Sequence, residues 1–123
     1  MKIDYIFDGS HDSPLIRLYS DQLNEITVLQ SSIRELADNQ KKEQTISNLP
    51  ISSSKATLVF KTADSDSGII ISKDRKELLV ELSKGTWLDI CKKLDPFLVD
   101  QTGFAWLYES GSNSLLFTTD GYW

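Results

Sequence analysis

The chain has one cysteine, one histidine and one methionine in 123 residues. The lone thiol, Cys91, cannot close an internal disulfide, and one Cys with one His cannot assemble a zinc site without two acids from elsewhere. Three prolines and six glycines are present, the glycines scattered at turns, so no Gly-rich phosphate loop occurs. Apolar runs such as Ile69-Ile70-Ile71 stay far short of the roughly 20 residues that a membrane span requires. Met1-Lys2-Ile3-Asp4 supplies a base with no apolar stretch behind it, from which no secretory signal is expected. Together with the single thiol, this leads to the expectation of a cytoplasmic protein.

Positive charge is also missing where it is most informative. Leu94 to Trp123 contains no lysine or arginine, yet holds seven of the twelve aromatic residues: Phe97, Phe104, Trp106, Tyr108, Phe117, Tyr122 and Trp123. Four acids accompany them, Asp95, Asp100, Glu109 and Asp120. Aromatic rings give rigid contact area at small entropic cost, and carboxylates steer a cationic partner. The whole chain carries 13 bases against 18 acids, a net charge of −5. No stripe of Lys and Arg alternates with aromatics, which argues against nucleic acid and for a basic protein as the charged partner.

A hydrophobic share of 40% with 25% charged residues is that of a folded globular chain, and the length fits one domain, residues 1–123. Alternation of Ile3, Tyr5 and Phe7 predicts a strand, and Asp8 to Pro14 is dense in turn formers before an extended Leu15 to Tyr19, so a β-hairpin is expected. Leu23, Ile26, Leu29 (or Gln30), Ile33 and Leu36 recur at helical spacing behind a Ser20 or Asp21 cap. Residues 40–55 read as a connecting loop that tucks Ile46, Leu49 and Ile51 against the body.

Runs at Thr57–Thr62, Gly68–Ser72 and Glu77–Leu82, separated by short polar turns, predict an antiparallel meander with the Ile triplet as a central strand. Thr86 then opens a second helix with a stripe of Trp87, Ile90, Cys91, Leu94, Phe97 and Leu98, which Pro96 should end or kink. Phe104–Glu109 and Leu115–Thr119 close the chain as a hairpin. No internal repeat emerges. The expected fold is α+β in the order ββα-βββα-ββ, a mainly antiparallel sheet of about seven strands with two helices packed on it.

Catalytic and metal candidates are few. His11 lies between Asp8 and Asp12 and can be read as a general base oriented by a carboxylate, or as a loop residue whose acidic neighbours stabilise its charge. Cys91 falls on the apolar helix stripe, where a thiol packs as a small hydrophobe. Asp64-Ser65-Asp66-Ser67-Gly68 has the opening of a calcium loop, but glycine comes one position early and Arg75 occupies the place of the closing glutamate, so a hairpin turn explains it better. No catalytic residue, metal or cofactor is expected.

Asp8-Gly9, Pro14-Leu15-Ile16-Arg17-Leu18-Tyr19, Phe104-Ala105-Trp106-Leu107, and Leu115-Leu116-Phe117 leading to Asp120-Gly121-Tyr122-Trp123 together look like small acidic bacterial proteins. In size and acidity these resemble the immunity proteins that neutralise polymorphic or contact-dependent toxins. What the resemblance implies is a cytoplasmic inhibitor that occludes a basic toxin domain. Steering is expected from Asp8, Asp12, Asp64, Asp66, Glu109 and Asp120, and anchoring from Tyr108, Tyr122 and Trp123. Phe104 and Phe117 are expected in the core. The alternatives are a subunit of a homo-oligomeric assembly, such as a homodimer, and a small enzyme using His11 with a neighbouring carboxylate.

Overall fold

The computed structural model describes residues 1–6, 14–49, 56–99, 102–109 and 113–119. Within them the chain forms β1 (Lys2–Ile6), β2 (Leu15–Tyr19), α1 (Leu23–Ala37), β3 (Glu43–Thr45), a 3-10 turn (Ile46–Asn48), β4 (Thr57–Ala63), β5 (Gly68–Ile71), β6 (Glu77–Ser83), α2 (Lys84–Val99), β7 (Phe104–Glu109) and β8 (Ser114–Thr118). The α+β class matches expectation, but the sheet does not. Eight strands form two four-stranded mixed sheets, ordered β1-β2-β8-β7 and β3-β4-β6-β5. No helix among the described residues is long and apolar enough to cross a membrane.

The expected hairpins are present: β1 pairs antiparallel with β2, and β7 with β8. The expected meander is not. β6 inserts between β4 and β5, running parallel to β4 and antiparallel to β5. The Ile triplet therefore forms an edge strand, not a central one, and Ile70 is 49% exposed. The reason is burial: Leu78, Val80 and Leu82 of β6 are 1% exposed or less and stand in register with Leu58 and Phe60 of β4. Three isoleucines on β5 place only Ile69 in the core cluster, so the better-patterned strand takes the centre. Residues 40–55, expected as a loop, supply a short edge strand through Glu43–Thr45, with Ile46 fully buried just after it; Ile51 lies outside the described residues.

Both sheets share one core with the helix pair. The cluster takes Ile3, Ile16, Leu18, Leu115 and Phe117 from the first sheet, and Leu58, Phe60, Leu78, Val80 and Leu82 from the second. α1 contributes Ile26, Leu29, Ile33 and Leu36, and α2 contributes Trp87, Ile90, Cys91, Leu94 and Phe97. Leu23, expected on the α1 stripe, is 56% exposed because it begins the helix, one turn before the seam closes. α2 continues through Pro96 to Val99. The proline falls in the last turn, where it costs a single backbone bond, while Leu94 and Phe97 on either side hold that turn in the core.

The connectivity repeats. Exchanging β1-β2-α1-β3-β4 for β5-β6-α2-β7-β8 turns each sheet's strand order and pairing directions into the other's. The helices carry the same relation in their side chains. Ile26, Leu29, Gln30, Ile33 and Leu36 match Trp87, Ile90, Cys91, Leu94 and Phe97 at the 61-residue separation that Gln30 and Cys91 show. Those two central residues bond reciprocally: Gln30 Nε2 donates to the Cys91 carbonyl at 2.8 Å, and Cys91 Sγ donates to the Gln30 carbonyl at 3.8 Å. The fold is two ββαββ units, each lending its last strands to the other's sheet.

Trp87 tests this shared core. Its ring centroid lies 4.8 Å from that of Phe60, and its Nε1 donates to the Lys61 carbonyl at 3.0 Å, so it ties α2 to β4. Trp87→Ala should destabilise by about 3–5 kcal/mol in urea unfolding. A loss under about 1 kcal/mol would show that the indole does not bridge helix and sheet.

Candidate partner-binding surface

β7 is an edge strand whose aromatic residues divide between two faces. Its start is fixed by Gly103, at φ +119°, whose carbonyl accepts the Thr119 N–H at 2.8 Å and whose N–H donates to Thr119 Oγ1 at 2.8 Å. Strict alternation would put Phe104, Trp106 and Tyr108 on one side. The register breaks between Trp106, opposite Leu116, and Tyr108, opposite Leu115, leaving Leu107 as a bulged extra residue. Lys93 Nζ donates to the Leu107 carbonyl at 3.3 Å. The bulge turns Leu107 (1% exposed) and Tyr108 toward the core, where the Tyr108 hydroxyl comes 3.8 Å from the point a Cβ on Gly68 would occupy.

Phe104 and Trp106 keep the opposite side. Their rings meet edge-on at 6.5 Å and 81°. Phe104, expected in the core, is 49% exposed; Phe117 is fully buried as expected, its ring 5.0 Å from Phe97. The cause is the register, which sets Ala105, not Phe104, beside Phe117. Along the same row, Trp106 adjoins Leu116, which is fully buried, then Arg17, whose side chain is largely covered, then Asp4. Arg17 Nη2 donates to Asp4 at 2.7 Å, so that row's charges cancel, while Glu109 ends β7 exposed.

The remaining steering candidates separate. Asp64 is exposed in the turn after β4. Asp66 is exposed too, but engaged: it accepts the Ser83 N–H at 2.7 Å and the Thr86 hydroxyl at 2.9 Å, closing the start of α2. The Ser83 N–H above all, and also the Thr86 hydroxyl, hold the Asp66 carboxyl below its usual range. The expected start at Thr86 is two residues late: α2 begins at Lys84, Ser83 takes the cap position by accepting the Thr86 N–H on its hydroxyl at 3.4 Å, and the carboxylate arrives from the turn before β5, not from Asp89. Asp8, Asp12, Asp120, Tyr122 and Trp123, together with His11, lie outside the described residues.

A second surface went unread in the sequence. On the side of the second sheet away from the helices, Val59, Leu79 and Ile70 line up across β4, β6 and β5 and floor an open groove of about 360 Å³, edged by Thr57, Ser72 and Glu77. The signal was available: Leu58-Val59-Phe60 and Leu78-Leu79-Val80 are apolar at consecutive positions, which a strand covered on one face does not require.

Burial pushes the Cys91 thiol up to about 11, so at neutral pH it stays a protonated donor. Among the described residues, no three of His, Cys, Asp and Glu gather to hold a metal ion. Comparison with protein-family models, with curated proteins and with solved structures found no match in any of the three.

The Asp66 cap has a pH signature. Asp66→Ala should lower stability by about 0.5–2 kcal/mol at neutral pH. Because folding depresses this carboxyl, its contribution is present above the ordinary value of 3.8 and is lost as pH falls through the lower folded value. Wild type and variant should therefore converge on acidification in urea titrations. A gap unchanged from neutral pH down to strong acid would rule out the charged cap.

Proposed function

We propose that the protein is a cytoplasmic protein-binding module whose contact surface is centred on the outer side of β7. The observation that carries this is the Phe104–Trp106 pair, an exposed ring braced by a second ring on an edge strand. A rigid aromatic pair is the kind of anchor on which interface free energy concentrates. The adjoining Glu109 and the lack of any base from Leu94 onward favour a positively charged partner. The most concrete form is an immunity-type inhibitor that occludes a basic toxin domain. Asp64 and Glu109 then steer from the described residues, joined by Asp8, Asp12 and Asp120. Phe104 and Trp106 anchor alongside Tyr122 and Trp123. Tyr108, with its ring against the core, supports the strand instead of reaching the partner.

The test is capture from the native host's lysate with tagged protein at low and moderate salt, using wild type beside Phe104→Ala. Phe104 is half exposed, so its truncation spares the core. A stoichiometric basic partner should bind the wild type, release as salt rises, and bind Phe104→Ala at least about tenfold more weakly. Equal binding of both proteins would remove β7 from the interface, and recovery of the bait alone would count against a protein partner.

A further inference from the structure

The outer face of the second sheet is self-complementary. Val59 stands beside Leu79 and Ile70 in one row, and the next row toward the end of β4 sets Lys61 between Glu43 on β3 and Glu81 on β6, with Gly68 of β5 beyond. Ion pairs among the described residues occur at Met1–Glu25, Lys2–Asp4, Arg17–Asp4 and Lys41–Glu35, none of them on this face. Lys61 and Glu81, whose carboxylate also accepts the Ser67 hydroxyl at 3.2 Å, thus present opposite charges beside an aliphatic strip that neither α1 nor α2 covers.

We propose that this face is a homodimer interface, occupied by the same face of a second copy about a twofold axis parallel to the strands and midway between β4 and β6. That axis exchanges β4 with β6 and leaves height along the strands unchanged. It lays Val59 of each copy over Leu79 of the other, and Lys61 over Glu81, each contact occurring twice as isologous symmetry demands, and places Glu43 over the glycine, Gly68. The charges select this axis. A twofold axis across the strands along the apolar row would instead set Glu81 over Glu77 of the partner, twice, and leave Lys61 facing Thr57. The aliphatic row supplies dehydration, and the charge pairs fix register. Sheets stacked face to face rotate by about 30°, a tilt that the pairs beside the axis tolerate best, with Ile70 on the flanking strand closing the rim of the aliphatic strip.

Size sets the strength. Four strands about 4.8 Å apart, with at most seven residues at about 3.3 Å, give a face of roughly 19 by 23 Å. Over both copies that is roughly 870 Å², below the roughly 1,200–2,000 Å² of stable interfaces, so the dimer is weak, reversible and concentration-dependent. It uses the sheet that lacks β7, and so stands independently of the partner surface proposed above.

Sedimentation equilibrium of the full chain over a wide concentration range tests it. Wild type should pass from monomer to dimer. Lys61→Glu and Glu81→Lys should each raise the dimer Kd by about a hundredfold, the scale of like charges brought into contact twice. The double variant Lys61→Glu/Glu81→Lys should recover most of the wild-type affinity, a rescue that a merely structural effect would not produce. Ile70→Asp, at a half-exposed edge position, should also weaken the dimer and decides the matter if the charge variants fold poorly by circular dichroism. Phe104→Ala should leave the dimer unchanged. A wild type monomeric at every concentration overturns the proposal. So does a dimer indifferent to the single reversals and to Ile70→Asp, or a double variant as weak as either single one.

Discussion

Everything in the fold depends on the seam between α1 and α2. Neither sheet buries its inner face against the other sheet alone; each packs against the helix pair, through Phe60–Trp87 on one side and Phe97–Phe117 on the other. At the centre, Gln30 occupies a position where a hydrophobe would pack equally well. Its amide answers the Cys91 carbonyl and the Asp95 carboxylate, so its polarity is satisfied, and a slipped seam would leave it buried without a partner. An apolar stripe would tolerate sliding; a buried amide with two designated acceptors does not. The pinned seam fixes the registers of both sheets, and through them the two outer faces.

The same economy governs the aromatic strand. One inserted residue at Leu107 changes which rings are core and which are surface. Without it, Phe104, Trp106 and Tyr108 would share a fate. With it, Tyr108 joins the sheets near Gly68, and Phe104 and Trp106 are left facing outward. Lys93 accepts a structural duty in consequence, its ammonium satisfying the bulged carbonyl. An outward-facing aromatic pair is thereby made from residues whose composition alone would assign them to a core.

Charge follows a comparable division. Several acids that look available serve the fold: Asp4 holds Arg17, Glu25 holds Ser20 and the amino terminus, and Asp66 closes α2. The α-ammonium and the Ser20 hydroxyl together hold the Glu25 carboxyl below its ordinary range. Counting acids in the sequence therefore overstates the charge free to attract a partner. Glu109 and Asp64 stay exposed.

The sequence by itself determined the class, the helices and nearly every strand, because periodicity is a local property: a stripe at three- and four-residue steps or an alternating run needs no knowledge of its partner. It also contained the helix duplication, since the buried positions of α1 and α2 have the same spacing apart from Ser32, but five positions of differing residue type are too few to stand out unless the two helices are laid side by side. Tertiary structure decided the rest. Strand order turned on which of β5 and β6 could match Leu58 and Phe60 across a shared inner face, a comparison between segments that no window along the chain makes. The split of the aromatic strand turned on a bulge set by pairing with β8. The row of Val59, Leu79 and Ile70 exists only because three separate strands were brought into register. Local pattern specifies what each segment can bury; only the assembled core fixes which side of it stays exposed.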